Sequence, residues 1–149
     1  MTSNVTSRET VRDAVATLLS TAMVGTGLLA QAVYNYQVDD FAEQSPVIVV
    51  SSGPAHRGRL DSQELGDTAF AIDIHVFVLY SLAGGTWTEL QSEDSLDALE
   101  KKVIDTLVDG FDAQPWLFLD TPDWSVIQPV MIGENEYRRE TVTVVIGTR

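Results

Sequence analysis

Apolar positions along this chain change period several times, and each change marks an element. After Ser7, the residues Val11, Ala14, Val15, Leu18, Leu19 and Ala22 recur at helical spacing, with Arg8, Glu9, Arg12 and Asp13 on the opposite face. Ser7 is placed to cap this helix, and Gly25 and Gly27 to end it. Residues 31–38 then alternate, with Ala32, Tyr34, Tyr36 and Val38 on one side, which predicts a half-buried strand. An acidic turn, residues 39–45, leads into a second strand over 46–52. Pro46 stands at its first position, where a missing N–H costs least.

Residues 53–67 have no period, three Gly and mixed charge, and read as a long loop of the kind that is usually functional or disordered. Residues 68–80 alternate again. Phe70, Ile72, Ile74, Val76, Val78 and Tyr80 share one face; Ala71, Asp73, His75, Phe77 and Leu79 share the other. Such a strand extends roughly 40 Å and overhangs a small core unless something else covers it. A second helix follows, with Ser92 or Asp94 as its cap, Leu96, Leu99, Val103, Ile104, Leu107 and Val108 as its stripe, and Gly110 as its stop. Residues 111–123 form a Pro- and aromatic-bearing connection. Two last strands, 124–132 and 137–148, turn at 133–136, and Pro129 marks the first of them as an edge or a bulge. The order α-β-β-β-α-β-β lacks a βαβαβ series, so the expected class is α+β, a mainly antiparallel sheet with two helices packed on it. One domain is expected to cover residues 1–149.

Composition adds exclusions. The chain has no Cys, which removes disulfides, thiolate metal sites and Cys nucleophiles. Its 22 acids against 9 bases leave a net charge of −13. A grip on duplex DNA or on an anionic membrane needs the opposite sign. The most apolar stretch, residues 70–83, is 14 long and contains Asp73 and His75, too short and too polar to span a bilayer.

The residue types that carry chemistry fall mostly into structural patterns. Asp73 and His75 lie two apart on one strand face, a spacing open to a dyad or half a metal site, but no third ligand is spaced to complete a set, and a polar sheet-face patch is the plainer reading. His56 beside Arg57 reads as a solvated loop residue. The acid pairs Asp39/Asp40, Asp120/Asp123 and Glu134/Glu136 lack the ligand series of a calcium loop. Gly25-Thr26-Gly27 and Gly84-Gly85 do not lead into the Lys-Ser/Thr of a nucleotide loop. No catalytic residue, metal or cofactor is therefore expected, and the chain reads as a non-enzyme. Trp87, Trp116, Phe118 and Trp124 fall in or near connections, where they either fill the core from its edges or anchor a protein interface.

The order of elements resembles that of the tail terminator proteins of long-tailed viruses, the group typified by the lambdoid terminator. The likeness rests on the N-terminal amphipathic helix, the Tyr-bearing strand Val33-Tyr34-Asn35-Tyr36, and the Ser45-Pro46 start of an apolar strand. It also rests on the long alternating strand before a helix centred on Leu96-Asp97-Ala98-Leu99-Glu100, and on the closing strand through Arg138-Arg139-Glu140. The resemblance implies a structural virion protein at the head–tail junction. It would be a hexameric ring that caps the head-proximal end of the tail tube, stops tube polymerisation and meets the head-completion proteins, with DNA passing through unbound. A neck, head-closure or other tail-completion subunit is the nearest alternative, and a non-viral protein-binding module the next.

Within that frame, residues 89–123 carry ten acids and two Lys, a candidate pore lining that would let DNA slide without sticking. The acidity, with 13 Asp and only two Lys, also resembles the surfaces of haloarchaeal proteins, which stay soluble where screening lengths fall to about 3 Å. Arg57 and Arg59 in the long loop, Arg138 and Arg139, and Trp87, Trp116 and Phe118 are the candidate subunit or partner contacts.

Overall fold

A computed structural model describes residues 6–25, 29–42, 44–57, 68–80 and 89–148. Helix α1 spans Arg8–Met23 and is capped as its sequence dictates: the Ser7 hydroxyl accepts the Thr10 N–H at 3.1 Å. Val11, Val15, Ala16, Leu19 and Met23 form its buried face. The helix stops at Val24, one residue before Gly25, whose φ of 144° is open to glycine alone.

Three strands follow: β1 (Ala32–Tyr34), β2 (Val47–His56) and β3 (Thr68–Leu79). Helix α2 (Glu89–Gly110) runs into a short 3₁₀ turn (Phe111–Ala113), and β4 (Phe118–Asp120), β5 (Val126–Ile132) and β6 (Asn135–Thr148) complete the chain. The sheet order is β1-β2-β3-β6-β4, and β5 also pairs with β6, so β4 and β5 share one side of β6 end to end. All pairings are antiparallel except β1 with β2. The class is α+β, with two helices and a six-stranded, mostly antiparallel sheet.

The differences from the sequence reading are local. The strand expected over 31–38 shrinks to three residues, because beyond Tyr34 the chain leaves the edge and crosses the second sheet face. There Phe41 is buried, stacked on Tyr34 and edge-on to Phe77 and Tyr137. The return makes β1 parallel to β2, which no hairpin can do. Strand β2 absorbs the first four residues of the expected loop, with a register shift between Ser52 and Ala55; Gly53 lies in this bulge, where a Cβ would stand 2.9 Å from the Ala71 carbonyl oxygen. The rest of that loop, from residue 58, lies outside the described residues. The expected connection after α2 contains β4. Ser92 is not a cap; it sits buried inside α2, which begins earlier, and its hydroxyl donates to the Leu79 carbonyl at 2.8 Å.

Both faces of the long β3 are covered, each by a different layer. Phe70, Ile72, Ile74, Val76 and Val78 pack with α1, α2, Val144 and Ile146 in the main core. On the other face Phe77 and Leu79 join Phe41, Val47, Val49 and Tyr137 in a second cluster. Each such fully buried apolar side chain contributes about 1.5–3 kcal/mol of transfer free energy.

Candidate functional site

Beyond these clusters, two surfaces of the described residues stand out: a polar strip on the second sheet face, and the β5 edge. The strip comes from strand alternation. Ser51, Asp73 and Thr143 share one register row, and His75 and Thr141 lie in the adjacent facing row. His75 Nε2 is 3.0 Å from Ser51 Oγ, and Nδ1 is 2.8 Å from Thr141 Oγ1. A hydroxyl both donates and accepts, so either neutral tautomer is satisfied there. Burial lowers the His75 pKa below its ordinary value, the Arg139 guanidinium lowers it further, and Asp73 partly offsets both.

Asp73 and His75 do share a face, as their spacing requires, but they form no dyad. Asp73 Oδ1 accepts the Thr143 hydroxyl at 2.7 Å, while both ring nitrogens of His75 face hydroxyls. The row of side-chain hydrogen bonds links β2, β3 and β6. It stitches the sheet across a half-buried face, which is the patch reading. His56 stands exposed at the end of β2. Among the described residues, no group of three or more His, Asp or Glu side chains is placed to hold a metal ion.

The β5 edge is the more unusual surface. Residues 120–129 are exposed without interruption. Trp124 is 97% exposed, and Val126, Ile127 and Met131 are 56%, 45% and 63% exposed. Strand β5 is held by β6 through a tight hairpin at Gly133 (φ 62°) and Glu134, the Gly-first pattern of a type II′ turn. In such a hairpin the pair flanking the turn, Ile132 with Asn135, is hydrogen-bonded, and bonded pairs then alternate. The backbone groups of Ile132, Val130, Gln128 and Val126 therefore face β6. Those of Met131, Pro129 and Ile127 face outward. Pro129 occupies an outward position, where its missing N–H removes nothing from the ladder, and this is the edge placement its sequence position suggested.

Acids flank this edge. Asp120 and Asp123 precede β5, and Glu134 and Glu136 lie at its turn. Beside its start, an open cleft of about 520 Å³ lies between α2 and the 121–125 segment, lined among others by Glu100, Ile104, Asp123, Trp124 and Val142. Burial raises the Glu100 pKa, and Glu140, Asp97 and Asp105 raise it further. Buried Glu140 holds the rim, accepting the Ser125 hydroxyl at 2.6 Å.

The residues singled out in the sequence are scattered rather than gathered. Arg57 folds back, donating to the Thr6 carbonyl at 3.3 Å and lying 5.2 Å above the Phe70 ring. Arg138 pairs with Glu93 of α2, and Arg139 lies beside His75 on the opposite sheet face. Trp116, at 7% exposure, belongs to the main core beside Phe111, so it fills the interior. Phe118 is 40% exposed and rests on Gly147. Arg59 and Trp87 lie outside the described residues. The acidic stretch 89–123 places Asp94, Asp97 and Asp109 on the exposed side of α2. The exposed run through β5 escaped the sequence reading, since its apolar residues look like any strand; Pro129 was the one signal that it lies at an edge.

No family model matches the chain, and no curated protein matches it. Among solved structures, the gp17 protein of bacteriophage SPP1 aligns over 93% of this chain and 88% of its own, at 10% identity and a TM-score of 0.48. A likeness of that size carries no weight for function. No helix among the described residues is long and apolar enough to cross a membrane.

Proposed function

We propose that this chain is a structural virion protein, a tail terminator that assembles into a ring on the head-proximal end of a tail tube, stops tube growth and meets the head-completion proteins. The resemblance in element order supports the reading, and one structural observation carries it. A ten-residue run that is exposed on both faces, with Trp124, Val126 and Ile127 in it, leads along a sheet edge that is unpaired among the described residues. Apolar edge strands bind other polypeptides unless they are covered, so such a surface belongs to a protein that works by assembly. Closed rings arise when the contact between copies is head-to-tail and its rotation closes. The net charge of −13 suits a ring that DNA traverses without binding.

Native mass measurement, alone and with tube protein present, tests the ring; a hexamer is expected in at least one condition. Particles lacking the protein should carry tails of uncontrolled length. Leaking heads on tails of normal length would overturn the terminator assignment in favour of a head-closure subunit.

A further inference from the structure

We infer that the β5 edge is a strand-addition site for an extended segment of a different protein, one with alternating apolar side chains and a Lys or Arg at each end. The inference rests on β5 being an assembly surface, and it holds whether or not the chain forms a ring.

Three observations define the occupant. The first is backbone geometry. The outward N–H and C=O groups of Ile127 and Met131, four residues apart, offer two donors and two acceptors, and the Pro129 carbonyl between them offers a third acceptor. This spacing pairs with an extended strand, and Pro129 rejects registers that need a donor at the centre. The second is apolar surface. Ile127 and Met131 stand on one face of the strand and Val126 on the other, all about half exposed or more, so an added strand gains contacts on both sides.

The third is charge, and it disfavours pairing of this edge with the same edge of a second copy. Asp123 and Glu100 lie at the first end of β5, and Glu134 and Glu136 at the second. An identical β5 added to this edge would bring the same acids against them, which costs rather than stabilises. A segment with basic ends satisfies both. At the first end the cleft between Glu100 and Asp123, walled by the Trp124 indole, fits an ammonium or guanidinium group through carboxylate and cation–π contacts.

The test uses the full chain, labelled for amide spectroscopy. The probes are a short capped peptide alternating Val and Thr between two terminal Lys residues, and its Glu-ended counterpart. The Lys-ended peptide is expected to shift the Ile127 and Met131 amides saturably, slow their hydrogen exchange and move the Trp124 indole signal. The Glu-ended peptide should bind at least about tenfold more weakly. Met131→Pro should abolish the response while the chain keeps its fold, because that N–H lies outside the β5–β6 ladder. Equal binding of both peptides, or no saturable change at these amides, overturns the inference. Protection of the Ile127 and Met131 amides that grows with protein concentration and no peptide would assign the edge to a second copy instead, which overturns the partner and leaves the ring standing. A monomer by native mass that still binds the Lys-ended peptide would sink the ring and leave this site intact.

Discussion

The Ser92 hydroxyl, inside α2, donates to the Leu79 carbonyl at the last residue of β3, 2.8 Å away, and lies 3.3 Å from the Tyr80 carbonyl. Thirteen residues separate Ser92 from Leu79 in the chain, and the contact is fully buried. It ties the opening turns of the second helix to the end of β3. The buried Leu79 carbonyl at the strand end thereby gains a donor, as burial demands.

Ser92→Ala should therefore destabilise the chain by about 1–3 kcal/mol, the cost of leaving a buried acceptor unsatisfied. Urea denaturation with an unchanged slope is the measurement. A loss under about 0.5 kcal/mol, the range of ordinary surface substitutions, would mean that water replaces the hydroxyl there.

Gly147 is the second test. A Cβ at that position would lie 2.1 Å from the Phe118 ring, so Gly147→Ala must displace Phe118 and loosen β4. The expected cost is about 1–3 kcal/mol, the usual range for overpacking. Adding Phe118→Ala should recover much of it, since the three nearest atoms all belong to that ring. Strict additivity of the two substitutions would refute the contact.

His75 makes stability depend on pH. Its folded pKa is lowered, chiefly by burial and then by Arg139, so the unfolded chain takes up a proton first as pH falls below the ordinary value of 6.5. Stability rises with pH wherever the unfolded state binds more protons. The contribution of His75 is thus unpenalised above 6.5, and a loss accumulates from there down to its lowered folded pKa. His75→Gln, which keeps a donor and an acceptor for Ser51 and Thr141, should flatten the midpoint–pH curve between about pH 5 and 7. Parallel curves for the two proteins would show that His75 protonates equally in both states.

Helix α1, its Ser7 cap, the stripe of α2 apart from Val108, which stands 59% exposed, the alternation of β3 and the edge character of β5 were all legible in the chain. Each depends on neighbours within one or two turns or on strand pleat, and those periods are written directly into the order of apolar residues. The spacing of Asp73 and His75 likewise put them on one face before any partner was known. What tertiary structure alone decided is which face is covered, and by what. The alternation over 31–38 is compatible with a full strand, yet burying Phe41 against Phe77 and Tyr137 drew the chain off the edge after Tyr34. Ser92 reads as a cap by type and became a buried clamp because the end of β3 needed a donor. Trp116 and Trp124 are alike in the sequence, eight positions apart in one connection and its outflow, but one is 7% exposed and the other 97%. Only the packing of distant segments separates them, because burial is a property of what the rest of the chain brings to a residue and not of the residue itself.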